Sequence, residues 1–133
     1  MAVKLTDDQK SFFNAKAFVH VATINKDGSP QISPMWVELD GDTIVLNSEQ
    51  KRLKVRNLKR DGRVTLSVQR LENPYNYVEI RGKVKEITTN GGFEGIDRLS
   101  LKYTGQAKYQ GNQPGDVRVV IRIEPERVLQ PMG

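Results

Sequence analysis

Several segments of this chain alternate apolar and polar residues with a period of two, and turn-forming residues separate them. In Arg63–Arg70, Val64, Leu66 and Val68 alternate with Arg63, Thr65, Ser67 and Gln69. Successive strand side chains point to opposite faces, so this is the signature of a half-buried strand. Phe18–Ile24 repeats it, with Val19, Val21 and Thr23 on one face and His20, Ala22 and Ile24 on the other. Val117–Ile123 alternates again, and Pro125 is expected to stop it. Such a chain is committed to a sheet, and short turns between strands make it mainly antiparallel.

The connections fill in the plan. Asn25-Lys26-Asp27-Gly28-Ser29 reads as a hairpin turn with Gly28 free to take positive φ. A return strand over Gln31–Leu39, a turn at Asp40-Gly41-Asp42 and a strand over Thr43–Asn47 complete an expected three-strand meander. Tyr77–Thr88 reads as a long strand with Val78, Ile80, Gly82 and Val84 inward, and its phase slip argues for a bulge near Gly82 or Lys85. Thr6-Asp7-Asp8-Gln9 is a capping box opening a short helix. Phe93, Ile96, Leu99 and Tyr103 recur at helical spacing, which predicts a helix over Gly92–Tyr103. Ser48 is placed as the cap of a third helix that runs to Arg60 and ends at Asp61-Gly62. Thr104–Gly115 reads as a mobile loop. Six strands and three short helices exclude a doubly wound sheet and favour an α+β, barrel-like architecture. The 133 residues make one domain, residues 1–133.

Composition excludes much chemistry. There is no cysteine and a single histidine, His20, so disulfides, thiolate nucleophiles and two-histidine metal motifs are ruled out. No metal site is expected, and no catalytic side chain stands out. No carboxylate pair has a spacing that suggests acid–base work, and no glycine-rich phosphate loop is present. No apolar run reaches the ~20 residues of a membrane span, so the default is a soluble cytoplasmic protein with no membrane partner. If the chain is an enzyme, a cofactor supplies the reactive group.

The net charge of +5 is local. Lys51, Arg52, Lys54, Arg56, Lys59 and Arg60 put +6 into ten residues without an acidic one, leaving the rest of the chain near neutral. A short basic stretch is either a solvated helix face or a site for a small polyanion; a nucleic-acid duplex favours a broader footprint. Aromatic residues are 7%, too few for an obvious single-strand stacking platform, so no nucleic-acid partner is expected. Two stretches stand out from pure scaffold. Pro30-Gln31-Ile32-Ser33-Pro34-Met35-Trp36 carries a proline inside a strand, which suits an edge where a flat ligand can use free backbone groups around Ser33 and Met35. Asn47-Ser48-Glu49-Gln50-Lys51-Arg52-Leu53-Lys54 gathers a hydroxyl, a guanidinium and ammonium groups where a strand meets a helix, which are the parts a phosphate needs.

VATINKDGSPQISPMWVELDGDTIVLNS, followed by KRLKVRNLKRDGRVTLSV with its Arg56-Asn57-Leu58 and Asp61, resembles the split-barrel flavoproteins named for pyridoxamine 5′-phosphate oxidase. Within them it resembles the F420 (deazaflavin)-dependent oxidoreductase branch. The resemblance extends over nearly the whole chain, through Tyr75–Gly82 to Ile123–Val128. It implies a six- to seven-stranded, mainly antiparallel split β-barrel with short flanking helices, assembled as a homodimer with cofactor sites at the interface. It places the cofactor phosphate on Arg52 and Lys54 with Ser48 and Lys51 nearby, and the ring along Gln31, Ser33, Pro34 and Met35 and at Asn47. The partner subunit would bring Tyr75 and Tyr77 over the site. The expected activity is hydride transfer between F420 and a small conjugated substrate. FMN is the alternative cofactor, and a non-catalytic flavin-binding protein the alternative role. The arginine-rich ending of the oxidase that makes pyridoxal phosphate is missing from Val128–Gly133, so that activity is not expected.

Overall fold

The computed structural model describes residues 2–131; Met132 and Gly133, the last residues of the ending discussed above, lie outside them. The elements run α1 (Asp7–Asn14), β1 (Val19–Ile24), β2 (Pro30–Met35), β3 (Glu38–Asp40), β4 (Thr43–Glu49), α2 (Leu53–Arg60), β5 (Arg63–Gln69), β6 (Tyr77–Thr88), α3 (Gly92–Thr104) and β7 (Arg118–Leu129). All seven strands join one antiparallel sheet in the order β2-β1-β5-β6-β7-β4-β3. The fold is α+β, a split barrel whose two edge strands do not pair with each other.

One short link forces the sheet to curl. β2 ends at Met35 and β3 begins at Glu38, yet the two strands lie at opposite edges. Three Cα steps span at most about 11 Å. Seven strands laid flat at ~4.8 Å spacing would hold the outer two about 29 Å apart. The edges must therefore approach until Trp36 and Val37 can bridge them, with Val37 fully buried. This corrects the expected single strand over Gln31–Leu39 and the three-strand meander. The chain breaks at Trp36–Val37 and crosses the seam, so β3 pairs only with β4.

The period-two segments at β1 and β5 behave as expected, whereas Arg118–Ile121 at the start of β7 is buried without alternation. Val19, Val21 and Thr23, like Val64, Leu66 and Val68, point into a core shared with Phe12, Phe13, Ile44, Leu46, Ile80, Ile121 and Ile123. Gln9 and Thr6 cap α1 reciprocally, at 3.1 and 2.9 Å, and the helix delivers Phe12 and Phe13 to the core. The β6–β7 register shifts at both of the alternative places, between Arg81 and Gly82 and between Val84 and Glu86, where one bulge was expected. Pro125 does not stop the last strand. It lies opposite Gly82 at the first bulge, where pairing is already irregular and a missing N–H is tolerated, and β7 continues to Leu129.

Ser48 does not cap a helix either. Pairing with β7 extends β4 to Glu49, opposite Arg118, so Ser48 is a buried strand residue opposite Val119. The helix begins later, with Arg52 at its N-cap position and no side chain capping it. α3 spans Gly92–Thr104 and buries Ile96 and Leu99, while Phe93 on the same helix stays exposed. Among the described residues no helix is long and apolar enough to cross a membrane.

Candidate functional site

A cleft of about 210 Å³ opens where the end of β2, the end of β4, the start of α2, α3 and the loop before β7 converge. Its wall is aromatic. Trp36 stacks on Tyr103 with ring centroids 5.2 Å apart, and Tyr109 meets Trp36 edge-on at 5.8 Å. Phe18, 52% exposed, packs against Tyr103 with ring centroids 5.9 Å apart. The seam crossing places Trp36 here, because its neighbour Val37 must fill the core.

The cleft is also cationic. Arg52, Lys54 and Arg118 line the cleft with Asn47, Ser48 and Glu49. Among the described residues, none of these three cations has a carboxylate ion pair. Glu49 lies beside them, but its carboxylate accepts the backbone N–H groups of Val117 (2.9 Å) and Lys51 (2.7 Å), which hold its pKa below the usual value. Burial pushes the Lys54 ammonium down, and the positive charges of Arg52 and Arg118 push it further. The arrangement favours an arriving anion.

Six of the expected site residues line this cleft: Pro34, Met35, Asn47, Ser48, Arg52 and Lys54. Gln31 and Ser33 do not; they share a face of β2 with Met35 but lie farther along the strand from the cleft, opposite Thr23 and Val21. There Gln31 accepts from the Thr23 hydroxyl at 2.8 Å, while Ser33 Oγ is buried with no partner among the described residues. Lys51 is exposed on the turn before α2. Tyr77 opens β6, and Tyr75, 79% exposed, sits in the loop before it; neither lines the cleft. Arg56 and Lys59 are exposed on α2, and Arg56 borders a separate hollow with Lys26, Leu53 and Arg60.

Sequence reasoning missed Phe18, Trp36, Ile96, Tyr109 and Arg118 as lining residues, along with Glu49. Phe18 and Trp36 flank strands, and Tyr109 and Arg118 come from a stretch that begins 49 residues beyond the basic segment. The proline-interrupted strand pointed at Trp36; nothing local pointed at Tyr109. The loop that carries Tyr109 is tied down, because Asp97 of α3 accepts its backbone N–H at 2.8 Å and reaches Lys108 Nζ at 3.4 Å.

Behind the aromatic wall, Lys102 Nζ donates to the carbonyls of Phe13 and Val37, at 2.6 and 2.7 Å. Burial pushes its pKa down to about 8, with Glu38 pulling the other way. The unfolded chain therefore holds this proton more tightly, and between about pH 8 and the ordinary value of 10.5 stability should rise with pH. The expected result is that the stability difference between wild type and Lys102→Met, measured by urea unfolding, shifts in favour of wild type from pH 7.5 to pH 10. A difference that stays flat would contradict the assigned shift.

Comparison with known proteins bears on the same region. The family described as pyridoxamine 5′-phosphate oxidase matches residues 5–130. A solved structure titled F420 reductase superposes with a TM-score of 0.82 at 30% identity, covering 94% of this chain and 98% of that one. The conserved hypothetical protein Rv2991 from Mycobacterium tuberculosis gives 0.72 at 27% identity, over 96% and 84% of the two chains. HupZ of Group A Streptococcus shares the fold at 23% identity, with a TM-score of 0.71 over 97% and 95%. No curated protein matches the sequence. With the match running through every element from α1 to β7, the chain belongs to the pyridoxamine 5′-phosphate oxidase family.

Proposed function

We propose that this chain is an oxidoreductase that holds a flavin-type cofactor in the cleft, the deazaflavin F420 in preference to FMN, and moves a hydride between it and a small conjugated substrate. The observation that carries the reading is the meeting, in one cleft, of aromatic side chains and cations that have no carboxylate ion pair among the described residues. The family match and the 30% identity to a structure titled F420 reductase support it. The donor set fits a phosphorylated ring compound: Arg52 and Lys54 for the phosphate, and Pro34, Met35 and Trp36 beside the ring. As an edge strand, β2 also leaves unpaired backbone groups on its outer side. When bound, the cofactor supplies the hydride chemistry. The protein's own residues orient it, and Phe18, Trp36 and Ile96 keep water from the reacting face.

In this reading the active unit is a homodimer. A cleft of about 210 Å³ falls short of the ~300–1,000 Å³ typical of pockets for ligands of this size, so a second chain would complete it. Ile32, 66% exposed on the β2 edge, and Phe18 beside the cleft offer apolar surface for that contact. Tyr75 and Tyr77 of one protomer would then cover the site of the other. Sedimentation should give a species of twice the chain mass at micromolar concentration; the single-chain mass alone would count against the dimer.

The preference for F420 rests on charge beyond the phosphate. Lys51, Arg56 and Lys59 are exposed, and a single phosphate does not need them, whereas the anionic tail of F420 can use them. F420 binding should therefore weaken with added salt more steeply than FMN binding, because more charge pairs are screened. Equal salt slopes would move the protein to the FMN branch.

A further inference from the structure

Arg118 is the first residue of β7 and only 9% exposed, yet it lines the cleft. A guanidinium carries five N–H donors. Here Nε donates to Asn47 Oδ1 at 3.0 Å, while neither terminal nitrogen has a hydrogen-bond partner among the described residues. Those nitrogens are not among the buried atoms that lack a partner, so they reach the open cleft, where an anion can take the place of water.

The guanidinium is held from two sides. Asn47 is itself buried, and its Nδ2 donates to the Gly92 carbonyl at 2.8 Å. That bond fixes the amide so that Oδ1 faces Arg118. Two glycines at the start of α3 make the arrangement possible. A Cβ at Gly95 would lie 2.9 Å from Asn47 Nδ2, and one at Gly92 would lie 2.1 Å from the Arg118 carbonyl oxygen. On the other side the Tyr109 ring lies 5.3 Å from the guanidinium carbon. Tyr109 is pinned by Asp97 and packs across Gly111, where a Cβ would come within 2.4 Å of the ring. Both sets of contacts hold the side chain still, and neither neutralises it.

We propose that Arg118 is a third anion-binding residue of the cleft, oriented by Asn47 and Tyr109 to take one phosphate monoester together with Arg52 and Lys54. Of the residues lining the cleft, three cations against Glu49 give a formal charge of +2, and Asp116, outside the lining, also acts on Arg118. A phosphate monoester carries about −1.5 to −2 at neutral pH, which matches. A guanidinium with its terminal nitrogens unengaged can grip two phosphate oxygens at once, whereas Lys54 acts as a point charge. The identity of the phosphate's carrier rests on the cofactor reading above; the anion site does not.

The test separates the two. Binding of FMN, of riboflavin (the same ring without phosphate) and of inorganic phosphate is measured on the full chain for wild type, Arg118→Gln and Arg118→Lys. The readouts are fluorescence of Trp36, the single tryptophan, and thermal midpoint at constant ionic strength. Arg118→Gln should weaken FMN by about tenfold or more and leave riboflavin within about twofold, with Arg118→Lys between. Inorganic phosphate should raise the wild-type midpoint, and raise that of Arg118→Gln clearly less at the same concentration. If phosphate stabilises chains that keep Arg118 clearly more than Arg118→Gln while no flavin binds, the anion site stands and the cofactor reading falls. Equal losses for FMN and riboflavin, or a phosphate effect independent of residue 118, would overturn the proposal. Should Arg118→Gln fail to fold, an Arg118→Lys chain that binds phosphate as wild type does would also overturn it, because the bidentate grip would then be irrelevant.

Discussion

Replacing Arg52 and Lys54 together by alanine should lower affinity for the cofactor by about a hundredfold or more, with little change in the unfolding midpoint. Each charge-assisted hydrogen bond to a phosphate is worth roughly 1.5–3 kcal/mol, or about ten- to a hundredfold in binding. The two losses will not add fully, because both side chains serve one anion. Stability should hardly move, since Arg52 is exposed and its side chain makes no cap, and Lys54 pairs with no carboxylate among the described residues. Removing Lys54 also relieves its repulsion with Arg52 and Arg118. Titration of the double variant with F420 and with FMN checks this. Unchanged affinity for both would remove the phosphate from this cleft.

Gly92→Ala should be the most damaging single methyl in the region. Its Cβ would sit 2.1 Å from the Arg118 carbonyl oxygen and 2.7 Å from the carbonyl carbon, and backbone cannot swing aside as a side chain can. Either α3 lifts from β7 or the start of β7 shifts, at a cost of about 1–3 kcal/mol or more. The displacement also carries Arg118 and the Asn47 amide out of position, so anion binding should fall with stability. Gly62→Ala is the control: its Cβ would meet Val84 at 3.7 Å, an ordinary contact at a φ that alanine accepts. Thermal unfolding should show a clear drop for Gly92→Ala and almost none for Gly62→Ala. Equal midpoints would mean the helix has room that the packing denies.

Local chemistry was legible in the sequence wherever neighbours along the chain decide the outcome. The Thr6–Gln9 capping box, the alternation of Arg63–Gln69 and the phase slip around Gly82 each declare their structure within a few residues. The failures come where a distant strand decides. Ser48 is a good cap by type, but β7 offers β4 two more residues of pairing, and the strand continues. Pro125 breaks most strands, but opposite the Gly82 bulge its missing donor costs little. Trp36–Val37 looks like continuous strand because both residues suit one; only closure of the seam makes it a crossing.

The site divides the same way. The basic stretch marked Arg52 and Lys54 because charge clustering is visible along the chain. Neither Arg118 nor Tyr109 could be assigned to the cleft from its own segment. They become part of the cleft through contacts with Asn47 and Asp97, 71 and 12 residues away.

The central claim is most directly tested by titrating the purified chain with F420 and, separately, with FMN at physiological ionic strength, following each cofactor's visible absorption. A ring moved from water to a wall of Trp36 and Tyr109 changes its spectrum, so binding reads out without turnover. The expected result is a saturable perturbation with both cofactors, tighter for F420 and lost in the Arg52→Ala, Lys54→Ala chain. Absence of any perturbation with either cofactor would contradict the claim that this cleft holds a flavin-type ring.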